Sequence, residues 1–535
     1  MDIRLKSKST VSSGGMGVET VASSQQERAR SERRLFIRVS IGVLILAPVL
    51  ILIGVLSSFS LMLGLMLVIG VLVVVARRPI LGFYMVACCA VVFEQFSLST
   101  PILTDSLPIY AWPPALAGLV ERPIGFFMLY ILAVIVIRRW LTRQKPLLRG
   151  GAMKGPLALF LLCVGWALVH GLTSGGILKI IVIEIRPFWY LFMCYVLAYN
   201  LLTEKRQIRN FLWFLILCSA LKSLQGVYVV LGPLHGDMKA QHDILGHEVS
   251  FFFVMVLLVL IAFFLQYRDK AQMWVIFLTL PTLLYSLEAN QRRTDYVALI
   301  IGVGIVWVLT IVMNPQRRKR LLIILCTCGV LGAGYVFGFA HSGGVIGEPA
   351  RAVYSVFHPE GADASSNAYR DVEDFDLLYT VKENPLGMGF GKKFLQPLPL
   401  AQLATDDPTA GGNPYEYIPH NTIYWIWMRM GYIGYFALWF LFGSLIIRGC
   451  IIVKQLKDRY LQMIGMILVG AIFMEVAVAF SDYQLYFFRN VIFLGLMMGM
   501  LLKLPEIEAK EEQEKREDPD HKLVPARTPV GSQRA

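Results

Sequence analysis

One histidine and four arginines stand out in a chain that is otherwise mostly apolar. His420 lies in the stretch YIPHNTIYWIWMRMGYIG, directly after Pro419 and at the head of a long apolar run. Proline is favoured in a first helical turn, and the unpaired N–H groups there attract an anion. The positive end of the helix dipole also disfavours imidazolium, so His420 is expected to be neutral and able to accept a proton. A histidine that merely caps its own helix at the membrane interface fits the same residues, and spacing does not choose between the two.

Arg292 and Arg293 sit in EANQRRTD, a short polar segment between two apolar runs. Paired guanidinium groups recognise a polyanion such as a diphosphate through parallel hydrogen bonds. Neutralisation by Glu288 and Asp295, or snorkelling to lipid headgroups, is the plainer alternative. Arg186 lies inside or at the end of another apolar run, where an ionisable group costs about 2.5–3.5 kcal/mol on insertion scales. Glu184 is two residues away and faces elsewhere on a helix, so Arg186 is expected to point into a polar cavity. Arg370 opens a helix in the longest polar stretch; it either reaches the same site or pairs with Asp374 four residues on.

The elements that must position these groups are membrane helices. Of 535 residues, 56% are hydrophobic and only 16% charged, with a mean hydropathy of +0.60, which excludes a soluble globule. The net charge of +13 does not imply a nucleic-acid partner, because the basic residues cluster between apolar runs, where they report topology. All eight cysteines fall in or beside apolar segments, so neither a disulfide nor a thiolate metal site is expected. His235, His242 and His247 lack the spacing of a helical metal site.

With about 20 apolar residues per span, the pattern predicts an all-α polytopic integral membrane protein of about fourteen (12–14) transmembrane helices. The first is expected near 38–58 and the last three at 420–448, 460–480 and 482–502. Arg77-Arg78, Arg138-Arg139, Lys205-Arg206, Arg317 to Arg320 and Lys454 fall in alternate loops, which places both termini in the cytoplasm. The organisation read from this is a disordered tail at 1–34, eleven spans in 35–340, a large outer loop at 341–419, three spans in 420–502 and a disordered tail at 503–535. Within the loop, Asn367 or Ser366 is expected to cap a helix running to about Lys382, with Val372, Phe375, Leu378 and Tyr379 as its apolar stripe. Asn384-Pro385 ends it, and Gly387, Gly389 and Gly391 form a tight turn without the strand or Lys-Ser/Thr ending of a phosphate loop.

Four pieces in this order, EIRPFWYLF, NQRRTDYVAL, YRDVEDFDLLYTVKENPLGMGFG and HNTIYWIWMRMGYIG, resemble the O-antigen ligase and O-antigen polymerase family of bacterial envelope glycosyltransferases. The resemblance covers residues 175–445 or so. It implies a bacterial inner-membrane protein whose periplasmic loop folds over a cavity at the outer leaflet. It also implies glycan transfer from undecaprenyl diphosphate to an acceptor sugar or lipid A-core, with no cofactor and no metal. On that likeness His420 looks like the base that deprotonates the acceptor hydroxyl, and Arg186, Arg292 or Arg293, and Arg370 look like diphosphate and donor contacts. Direct displacement assisted by one base would invert the anomeric configuration, driven by the diphosphate linkage without ATP. Ligase, polymerase and protein O-glycan transferase are all members of this class; the many spans and long tails tilt the reading toward a polymerase of O-antigen or exopolysaccharide. A polysaccharide transporter or flippase would share the helices, but no internal repeat is visible.

Overall fold

The computed structural model describes residues 59–95, 98, 100, 102, 104, 109–110, 121–238, 244–267, 269–342, 347–400 and 416–517. The expected span at 38–58, the 1–34 segment and residues 518–535 lie outside these. Among the described residues all regular structure is helical. The chain forms two units, the first ending at Arg78 and containing α1 (Phe59–Arg77). Everything discussed below belongs to the second, which starts at Pro79.

The second unit runs through α2 (Pro79–Val92), α3 (Pro123–Leu141), α4 (Lys154–Thr173), α5 (Leu178–Leu201), α6 (Lys205–Leu231), α7 (Val249–Leu265) and α8 (Lys270–Ala289). It continues with α9 (Arg293–Met313), α10 (Arg318–Phe339), α11 (Glu348–Phe357), α12 (Ala362–Glu383), α13 (Thr422–Gln455), α14 (Arg459–Val478) and α15 (Phe488–Glu517). Nine described helices, namely α3 to α6, α9, α10 and α13 to α15, are long and apolar enough to cross a membrane. An α-helix satisfies its own backbone hydrogen bonds, which is what an apolar run needs in lipid. The protein is therefore the all-helical polytopic membrane protein that its composition predicts.

At the centre, α15 lies along α5, with α14 and α2 against its other sides. α13 packs on α4 and α14, and α9 packs on α14 and α7. One ionic cluster ties the middle together: Arg489 of α15 meets Glu94 at 2.5 Å and Glu248 at 2.8 Å, and Lys222 of α6 also pairs with Glu94. All four side chains are buried, and two positive charges face two negative ones. Buried ions persist only when so matched.

Two boundaries differ from the sequence reading. α15 starts at Phe488, later than the 482 expected, and so leaves a turn at 479–487 between α14 and α15. It also continues past 502 to Glu517, supported by the pairs Lys510–Glu514 and Glu511–Lys515 and by Glu508, which accepts the N–H groups of Lys457 and Asp458.

Candidate functional site

The site is assembled where α13 begins. α13 is broken at Gly431, whose φ of 70° is outside the helical range, and the break frees the carbonyls of Met428 and Arg429. The glycine turn fills the gap: Met388 N–H donates to Met428 at 2.9 Å and Gly389 N–H to Arg429 at 3.1 Å. On its other side Phe390 N–H donates to Ala167 of α4 at 3.1 Å. A side chain at Gly389, where φ is 78°, would strike the backbone of Gly171 at 2.5 Å. The turn is thus a wedge between α4 and α13, with the Met388, Gly389 and Phe390 amides spent on helix carbonyls and that of Gly391 on the Glu184 carboxylate. Arg429 seals it, donating to the carbonyls of Gly389 and Tyr417 and pairing with Glu184 at 2.6 Å. Glu184 also accepts from Trp425 Nε1 at 3.1 Å. Its partner is therefore Arg429 of a distant helix rather than its sequence neighbour Arg186.

The wedge fixes the direction of α13 and hence of its first residues. Asn421 is the N-cap, accepting from Tyr424 N–H at 3.1 Å, so His420 does not cap the helix. Instead, His420 is held by α12. Its backbone N–H donates to Glu373 Oε2 at 2.9 Å, and its Nδ1 lies 3.2 and 3.1 Å from the two carboxylate oxygens. Glu373 is fully buried, whereas the His420 side chain keeps 17% of its surface exposed. A carboxylate only accepts, so this contact fits the tautomer with the proton on Nδ1 and the lone pair on Nε2. Tyr483 of the 479–487 turn lies over the imidazole with ring centroids 4.5 Å apart, and Tyr369 meets it edge-on at 5.7 Å.

Next to this pair is a cavity of about 310 Å³ lined by Arg292, Arg293 and Arg370. Arg370 is one helical turn from Glu373 on α12, and Ser481, also in the lining, is two residues from Tyr483. Arg292 reaches Asp482 at 3.3 Å, and Arg293 reaches Asp363 at 3.3 Å and Asn367 at 3.4 Å. Arg370 has no ion-pair partner among the described residues, and its Nε is buried without a hydrogen-bond acceptor. Asp374, the partner expected for it, is instead bonded by Asn421 Nδ2 at 3.2 Å. Burial pushes the Asp374 carboxyl up to about 6, and nearby Glu373 and Asp371 push the same way. Val297, Ala298, Ile301 and Val356 make another wall of the cavity apolar.

Three of the five residues singled out from the sequence, Arg292, Arg293 and Arg370, thus line one space, and His420 is tied to its edge through Glu373, one helical turn from Arg370. Arg186 is not in that lining. It is 6% exposed, stacks over Phe488 at 5.4 Å and is close enough to Arg122 to depress the protonation of that partly buried guanidinium, after burial itself. The 479–488 segment touches both places, with Asp482 on Arg292 and Phe488 beneath Arg186.

The loop helix itself reads differently from expectation. α12 begins at Ala362, after Gly361, and its expected stripe is turned outward: Phe375, Leu378 and Tyr379 are exposed. Its buried face carries Glu373, Asp376, Leu377 and Thr380. Glu373 escaped the sequence reading because buried faces are sought among apolar residues. The signal that points to it is the run of carboxylates at 371, 373, 374 and 376 in a helix that nevertheless has to dock.

Residues 278–440 match the family model described as O-antigen ligase. The match runs from the second half of α8 through α12 to residue 440 of α13, so it includes Arg292, Arg293, Arg370, Glu373 and His420 but neither Arg186 nor Asp482. No curated protein matches the chain. The resemblance to the O-antigen ligase and polymerase family is thus supported over this stretch, in a chain that is a polytopic membrane protein.

Proposed function

We propose that this O-antigen-ligase-like protein is an inverting glycosyltransferase that moves a glycan from undecaprenyl diphosphate to an acceptor sugar at the outer face of the inner membrane. The observation that carries the reading is the buried Glu373 holding Nδ1 of His420 beside a cavity lined by three arginines. His420 Nε2 takes the proton of the acceptor hydroxyl as its oxygen attacks the anomeric carbon. Glu373 stabilises the imidazolium that forms, as an orienting carboxylate does for any histidine base. The bond to the diphosphate breaks on the opposite side, and the negative charge that develops on the leaving group falls to Arg292, Arg293 and Arg370. The apolar wall at Val297, Ile301 and Val356 suits the first isoprene units of the lipid. A single displacement inverts the anomeric centre. In this reading the loop lies in the periplasm, both termini are cytoplasmic, and Arg186 with Arg122 extends the positive field toward the glycan side.

Fourteen expected spans favour a polymerase of O-antigen or exopolysaccharide over a ligase that uses lipid A-core. The test is the envelope glycan ladder of a deletion strain complemented with wild type or His420→Ala at matched expression. Loss of long glycan with accumulation of lipid-linked single units supports the polymerase. Long lipid-linked chains beside bare lipid A-core indicate the ligase. A wild-type ladder from His420→Ala sinks the base assignment and favours a transporter.

A further inference from the structure

Asp482 is a buried carboxylate whose two oxygens face different parts of the site. Oδ2 lies 3.3 Å from Nη2 of Arg292, at the cavity. Oδ1 accepts the backbone N–H of Tyr483 at 2.8 Å, and the Tyr483 ring is the one that covers His420. The same turn is pinned to the head of α13, because the Thr422 hydroxyl donates to the carbonyl of Ala479 at 2.9 Å and also approaches that of Asp482 at 3.4 Å. One side chain therefore bridges the arginine cavity and the histidine, although 62 positions separate residue 482 from residue 420 in the sequence.

We propose that Asp482 is a positioning residue that keeps the lipid-diphosphate subsite and the base in register. It does so by setting the Arg292 guanidinium at the cavity wall and, through the Tyr483 turn, the plane of the His420 ring. The inference rests on the glycosyltransferase reading above and adds to it a residue outside the matched region. Arg292 carries one end of this link and Tyr483 the other, so the two can be cut separately.

Asp482→Asn keeps an oxygen for the Tyr483 N–H but loses the charge that holds Arg292. Binding of undecaprenyl diphosphate to the purified protein in nanodiscs is expected to weaken about tenfold, the loss of one charge-assisted contact. Turnover with saturating lipid-linked oligosaccharide extracted from the host strain is expected to fall less than about threefold, because the base is still placed. Asp482→Ala removes both links and adds a further drop of about tenfold in turnover at the same affinity. Should the Asn variant fail to fold, Asp482→Glu gives the converse pattern. It retains the charge on Arg292 but is too long for its own neighbour's N–H, so affinity is spared and turnover falls.

A double-mutant cycle closes the test: in an Arg292→Gln background, Asp482→Asn is expected to cost no further affinity. Equal losses of affinity and turnover in the Asn and Ala variants, or an additive cycle, overturn the assignment. Wild-type protein that fails to bind undecaprenyl diphosphate overturns the glycosyltransferase reading itself, whereas wild-type binding with an additive cycle removes only Asp482.

Discussion

Around Arg489, two cations meet two carboxylates and every charge is answered by a residue distant in sequence. Around Arg292, Arg293 and Arg370, ion pairs run to Asp482 and Asp363 beside a space of about 310 Å³, and Arg370 has no ion pair among the described residues. The first arrangement is complete without a ligand. In the reading proposed above, the second is completed by an anion that meets Arg370 at the cavity. Glu184 and Arg429 repeat the first plan at the wedge. Paired buried charge therefore serves structure in these clusters, and the proposed ligand site is where Arg370 lines a cavity without an ion pair among the described residues.

The largest effect that tests this contrast is on folding. Arg489→Met leaves Glu94 and Glu248 buried without their guanidinium, a loss of about 3–5 kcal/mol, enough to remove most of the stability of a typical domain. Little folded protein is expected in the membrane fraction by fluorescence-detected size exclusion. Arg370→Gln removes a charge that makes no ion pair among the described residues, so its elution profile and thermal unfolding should match wild type while glycan transfer falls. A severe folding defect in Arg370→Gln, or none in Arg489→Met, would break the distinction.

The contrast also explains what the sequence reveals and what it hides. Apolar runs dictate where helices lie, and thirteen of the fourteen expected spans coincide with described helices. Arg292, Arg293 and His420 stood out because ionisable groups at the ends of apolar runs are few, and Arg370 because it opens the helix of the longest polar stretch. Balanced charges stay hidden: nothing in the local sequence says that Lys222 meets Glu94 or that Glu184 meets Arg429, because each partner is far away along the chain. Glu373 and Asp482 were missed for two further reasons. Glu373 is on a helix face that its apolar pattern assigns to solvent, and Asp482 lies in a turn that the hydropathy of 482–502 absorbs into a span.

Within the site, the size of each loss should follow how directly a residue meets the reacting atoms. His420→Ala is expected to lower transfer by about 10²–10⁴-fold, the usual contribution of a positioned base. Glu373→Gln keeps the shape and still offers an oxygen to Nδ1–H but cannot neutralise the imidazolium; a fall of about 10–10²-fold is expected, with undecaprenyl diphosphate binding unchanged. If Glu373→Gln weakens lipid binding as much as turnover, its carboxylate serves the fold rather than the base. Arg186→Gln is expected to weaken undecaprenyl diphosphate binding only about threefold, against about tenfold for Arg292→Gln, because Arg186 is outside the cavity lining. Equal losses would move the diphosphate toward Phe488.

The smallest effect concerns Asp374, next to Glu373 but partly exposed. Its carboxyl sits near 6 in the folded protein, above the value of about 3.9 for an unperturbed aspartate, so folding favours the protonated form. The stability this contributes is fully present below about pH 4, declines as the pH rises through 6 and is absent above it. Asp374→Asn mimics the protonated state and still accepts from Asn421. It should therefore raise the unfolding temperature in detergent by about 1 °C at pH 7.5 and leave it unchanged at pH 4. A gain of the same size at both pH values would mean that the carboxyl is not held up by burial. In that case the buried face of α12 near His420 is wetter than its packing implies, and Glu373 loses the shielded setting that lets it act on the imidazole.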